Sequence, residues 1–76
     1  MNLADQEKKL KEGFIIIKLV KRLENDFEYF INCKTKDSPE WSIFAGPYSS
    51  EYKGRKTIER LREDSKFIEE NNDNTD

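Results

Sequence analysis

Two adjacent carboxylate pairs, Glu63-Asp64 and Glu69-Glu70, a single cysteine, Cys33, and a basic cluster of Lys53, Arg55, Lys56, Arg60 and Arg62 are the side chains with most chemistry to offer in this sequence. Neighbouring carboxylates can divide acid and base roles only where burial or a close charge moves their pKa values apart. Both pairs fall in a stretch that reads as a charged helix, where they are expected to be ordinary solvated charges. Cys33 lies in an apolar run and reads as a small buried hydrophobe. With no histidine in 76 residues, nothing is at hand to make it a nucleophile, and the commonest zinc and non-haem iron ligand is missing. Neither GxxxxGK nor GxGxxG occurs, so the phosphate-cradling loops are also missing. The expectation is a non-enzymatic chain with no catalytic residues, no cofactor and no metal site.

The basic cluster suggests a different chemistry. It crowds the start of a predicted helix, where exposed N–H groups already favour an anion, while the acids gather toward its end, against the macrodipole. An anionic partner such as nucleic acid would exploit that arrangement. Intrahelical pairing of Glu51 with Arg55, Arg55 with Glu59 and Arg60 with Asp64 would neutralise it. The formal charge of −2 argues against strong nonspecific affinity for nucleic acid.

The elements that must position these groups centre on Phe14 to Ala45, which holds most of the large apolar side chains. Three runs, Phe14 to Leu23, Phe27 to Thr35 and Trp41 to Ala45, are rich in β-branched and aromatic residues and separated by Asn25-Asp26 and Lys36-Asp37-Ser38-Pro39, which predicts an antiparallel meander. Asn2 or Asp5 is placed to cap a short helix through Lys11, with Gly13 ending it. After Gly46-Pro47-Tyr48-Ser49-Ser50, read as a turn, Thr57, Ile58, Leu61, Ser65 and Ile68 recur at helical spacing and predict a helix from Glu51 to Asn71. The fold class expected is α+β: a three-stranded antiparallel β-meander with a C-terminal helix packed on one face and a short N-terminal helix. Residues 1–70 are expected to form one domain and 71–76 a disordered acidic tail.

Alternation along the strands sorts the side chains into two faces. One gathers Ile15, Ile17, Leu19, Phe27, Tyr29, Ile31, Cys33, Trp41, Ile43 and Ala45, and is the expected core. The other gathers Phe14, Ile16, Val20, Phe30 and Phe44 among Lys18, Arg22, Glu28, Asn32, Lys34 and Ser42, too apolar for plain solvent surface. One helix dries only one side of a sheet. The second side is therefore expected to be covered by the N-terminal helix folding back through Leu3 and Leu10, by another protein or a second copy, or by nucleic acid, whose bases would stack on Phe30 and Phe44.

Only 34% of residues are hydrophobic and 39% are charged, so stability gained from a partner would matter in so small a domain. The longest apolar run, Phe14 to Ile17, is far short of the roughly twenty residues a membrane span needs. The lysines before it resemble a signal peptide, but Lys18, Lys21 and Arg22 interrupt the region and no cleavage site follows. A soluble cytoplasmic chain is expected. The segment Lys8 to Leu23 would also make an amphipathic helix suited to a membrane surface or a partner groove. Against that stand Gly13 and the run Ile15-Ile16-Ile17.

The order helix, three strands, helix, with Lys53, Arg55 and Lys56 opening the last helix, resembles double-stranded-RNA-binding domains, and that resemblance implies phosphate contacts by those three residues. The chain's acidic balance and the lack of an alanine-rich packing face depart from the pattern. The run Ile43-Phe44-Ala45-Gly46-Pro47-Tyr48-Ser49-Ser50 before a charged helix is similar to the second half of a SPOR peptidoglycan-binding repeat. That likeness covers under half of the chain, and the strand such repeats carry after the helix is not expected here. The function expected is docking on a protein, as a regulatory or inhibitory accessory factor of the kind mobile elements carry or as a dimer, through Phe14, Ile16, Val20, Phe30 and Phe44. The alternative is nucleic-acid binding through Lys53, Arg55, Lys56, Arg60 and Arg62.

Overall fold

The computed structural model describes residues 2–22 and 28–70. The α+β class holds: α1 (Leu3–Lys11), β1 (Ile15–Lys21), β2 (Tyr29–Lys34), β3 (Ser42–Tyr48), α2 (Glu51–Leu61) and β4 (Phe67–Glu69) follow one another. They build a four-stranded sheet in the order β3-β2-β1-β4, the meander antiparallel and β4 parallel to β1. The expected strand ends at Leu23 and Phe27, the Asn25-Asp26 turn and the tail at 71–76 lie outside the described residues.

Local chemistry starts and stops the elements as expected. Asn2 Oδ1 accepts a hydrogen bond from the Asp5 N–H at 2.8 Å and caps α1. Gly13, at φ +100°, turns the chain out of the helix, a conformation that side chains with a Cβ resist. The β-branched residues Ile15, Ile16 and Ile17 then extend, so the continuous helix from Lys8 to Leu23 does not form. Ser50 Oγ accepts from Lys53 N at 3.3 Å and caps α2.

The last helix is shorter than its periodicity suggests. It ends at Leu61, and Asp64 takes over: its carbonyl accepts from Phe67 N at 3.0 Å and its carboxylate from Lys66 N at 3.2 Å. These bonds offer the backbone an alternative to further helix. Phe67 to Glu69 then pair with Ile15 to Ile17 as β4, so a strand does follow the helix, and Ser65 and Ile68 belong to no helical stripe.

α2 packs across β1, β2 and β3, over Ile17, Ile31, Cys33 and Ile58, with Ile15, Leu19, Ala45, Tyr48, Leu61 and Phe67 at the margin. Gly54 lets the helix come close: a Cβ there would lie 2.6 Å from Leu19 Cδ1. α1 lies against β1 on the opposite side and buries Gln6 and Leu10. Ile16, which points to that side, is completely buried. The sheet is thus covered on both faces, but unequally. Leu3, expected to help α1 fold back, is 69% exposed.

Candidate functional site

The surface left open is set by β3. Its pairing runs Tyr29 to Tyr48, Ile31 to Ala45, Asn32 to Ile43 and Cys33 to Ser42, with the register shifting twice. Between Ile31 and Asn32 the chain advances one residue on β2 but two on β3, so Phe44 is an extra residue, a β-bulge. One inserted residue reverses the facing of everything beyond it. Ala45 stays under α2, whereas Ile43 falls opposite Asn32 on the α1 side. Trp41 follows it there, with Lys18 Nζ 4.3 Å and Lys34 Nζ 4.7 Å from its ring centroid.

This corrects the expected grouping. Trp41 and Ile43 leave the core for the second face. Phe44, expected there, instead packs edge-on to Phe67 at 5.9 Å on the α2 side and is 44% exposed. Val20 and Phe30 do lie together, as register partners and half-buried, with the Arg22 guanidinium 5.9 Å from the Phe30 ring. Phe14 sits at the α1 end under Lys9 Nζ, 5.0 Å from its centroid. Ile16, sealed beneath α1, has no surface to offer a partner. The open half of the second face therefore carries Val20, Phe30, Trp41 and Ile43, the last 67% exposed, framed by Lys18 and Lys34. The signal that could have revealed the swap is Gly46 at the end of an apolar run, since an isolated glycine in a strand pattern marks an irregularity. Gly46 sits at φ +123° inside β3 and precedes a cis proline bond, so the expected turn at 46–48 is strand.

The border of this surface is a buried polar chain. Lys34 Nζ donates to Gln6 Oε1 at 2.9 Å, and Gln6 Nε2 donates to Glu70 Oε2 at 2.6 Å. Gln6 thereby ties α1 both to β2 and to the residue following β4. Glu70 Oε1 and Asn32 Oδ1 are buried without a donor among the described residues; Asn32 is the register partner of Lys18, and the Glu70 N–H donates to the Ile17 carbonyl.

The basic cluster on α2 is arranged differently from either expectation. Arg55 Nη1 bonds Glu69 Oε2, and Arg62 Nη1 lies 3.5 Å from Glu69 Oε1. Their counter-ion comes from β4, not from within the helix, so Glu69 is no idle solvated acid. Lys53 Nζ donates to Ser49 Oγ at 3.1 Å, and Lys56 Nζ lies 5.7 Å from the Tyr52 ring. Two of the five expected anion contacts are thus already neutralised.

A cleft of about 250 Å³ lies between β1 and the start of α2, lined by Leu19, Val20, Lys21, Tyr29, Glu51 and Arg55. A more apolar one of about 170 Å³ opens between α1 and the β2–β3 connection, lined by Glu7, Leu10, Lys11, Lys36 and Pro39. Among the described residues no group of His, Cys, Asp or Glu is placed to hold a metal ion, and no helix is long and apolar enough to cross a membrane. Cys33 is a free, buried thiol. Comparison with known proteins finds no matching family model, no matching curated sequence and no matching solved structure.

Proposed function

We propose that this is a small non-catalytic docking module of the cytoplasm, an accessory protein that regulates or inhibits a protein partner by binding it through the open half of the second sheet face. The observation carrying this reading is the incomplete cover provided by α1. The helix dries Ile16 and stops, leaving Trp41, Ile43, Phe30 and Val20 as an apolar surface edged by lysines. Large aromatic and aliphatic side chains at the centre of a patch with polar groups around it are the usual make-up of a protein-binding surface. Pairing of a partner strand along the β3 edge is disfavoured: two register shifts and Pro47, which has no N–H, break its ladder. Recognition therefore falls to side chains on the face. Binding of nucleic acid at the start of α2 is the weaker reading, because Glu69 holds Arg55 and Arg62.

Position-specific photo-cross-linking in the native cell tests the proposal. A benzophenone side chain in place of Ile43 is expected to give a discrete protein adduct, or a homodimer if the partner is a second copy. The same probe in place of Tyr52, equally exposed at 69% but on α2, is expected to give none. Adducts of equal yield at both positions, or at 52 alone, would remove the proposal.

A further inference from the structure

We infer that the partner presents an acidic polypeptide segment, with carboxylates that meet Lys18 and Lys34 and an apolar side chain that packs on Ile43 beside Trp41. This rests on the docking reading above and adds the chemistry of what docks. Charge complementarity carries it. Four basic side chains elsewhere find carboxylates: Arg22 with Glu28, Arg55 and Arg62 with Glu69, Lys66 with Asp64. Lys18 and Lys34 have no carboxylate within ion-pair distance among the described residues. Their ammoniums instead converge on one indole ring. A cation–π contact open to water gains only about 0.5–1 kcal/mol, and the further partner of Lys34, Gln6 Oε1, is neutral, so neither ammonium has a counter-ion among the described residues. Glu70 accepts from Gln6 of α1 instead, and its other oxygen is buried. The face thus shows a partner two converged positive charges beside an aliphatic side chain that is 67% exposed.

An acidic polypeptide suits this arrangement better than nucleic acid does. A carboxylate can bind the ammoniums where they stand, at the rim of the indole. A base stacking on Trp41 would have to displace at least one of them from the ring it needs. Ile43, the most exposed apolar residue of the patch, provides no stacking surface for a base and suits an aliphatic side chain instead.

Trp41 is the only tryptophan in the chain, so its emission reports on this site directly. The experiment is a fluorescence titration of the full chain with three probes: a glutamate-rich peptide carrying isolated leucines, its lysine-rich counterpart, and an oligothymidylate of similar length. The acidic peptide is expected to give a saturable change that weakens as salt is raised. Lys18→Gln should weaken that binding roughly tenfold, whereas Lys18→Arg should hold it within about twofold, since the charge is kept. Lys34→Gln is the less clean variant because Lys34 also bonds Gln6. No response to the acidic peptide, an equal response to the basic one, or no weakening in Lys18→Gln with the fold intact by circular dichroism would overturn the inference. Tighter binding of the oligothymidylate would overturn it in favour of nucleic acid. If position 43 gives a protein adduct while the acidic peptide does nothing, the docking surface stands and its acidic partner does not.

Discussion

Gly46 is the residue on which the outer strand turns. A Cβ there would meet the Tyr29 carbonyl oxygen at 2.9 Å and the Phe30 Cα at 3.2 Å, both backbone atoms that cannot rotate away, and its φ of +123° already excludes most side chains. Gly13 shares the positive φ, at +100°, but has nothing within 4 Å. The two glycines therefore separate conformational strain from steric clash. Gly13→Ala should cost about 1–2 kcal/mol through strain alone, and Gly46→Ala about 1–3 kcal/mol more through crowding. Urea unfolding of both variants measures the difference; equal losses would mean that β3 does not press on β2 at this point. Gly46→Ala should also loosen Phe30 and, with it, the docking surface, whereas Gly13→Ala should leave that surface intact.

Among the elements, β4 and β3 are where physics beyond local pattern decided the outcome. The first cap was narrowed to Asn2 or Asp5, of which the structure uses Asn2; the stop at Gly13, the strand character of Ile15 to Ile17 and the burial of Cys33 follow from the residues themselves and were legible. β4 was not: Ile68 lies seven positions after Leu61, which suits a helix as well as a strand, and only the pairing of Phe67–Glu69 with β1 chooses between them. The bulge at Phe44 was nearly as hidden: Gly46 hints at an irregularity in this strand, but nothing in the alternating side chains says which residue is inserted. Half of the candidate site, Trp41 and Ile43, was therefore assigned to the wrong face, while Val20 and Phe30, on strands without such an insertion, were assigned correctly. β4 also supplies the acid that holds α2. Glu69→Gln should free Arg55 and Arg62, lowering stability by less than about 1 kcal/mol since both arginines are about half exposed. The same change should lengthen retention on a heparin column; unchanged retention would show that Glu69 does not mask these charges.

The molecule as a whole is a thin sheet with a helix on each side, and its two cores share the same central strands. Ile16 on one side and Ile17 on the other are neighbours in β1 and are both fully buried, each worth about 1.5–3 kcal/mol. Neither layer can be lost without exposing the other's support. Tryptophan emission, which reports the α1 side, and far-UV circular dichroism, dominated by both helices, should therefore unfold with one coincident midpoint in denaturant. A tryptophan transition that comes clearly earlier would mean that α1 and the Trp41 face open on their own. The small core also gives an apolar patch left in water a clear physical alternative, burial against a partner, which would stabilise the fold by mass action.

The proposed docking surface depends on one extra residue at Phe44, which turns Trp41 and Ile43 toward α1. Nuclear Overhauser contacts of the Trp41 ring test that most directly. Contacts from the indole protons to the side-chain methylenes of Lys18 and Lys34 are predicted, with none to Ile58 or Leu61. Strong contacts to Ile58 and Leu61 would place Trp41 under α2, restore simple alternation along β3 and leave the second face without the surface on which the docking proposal stands.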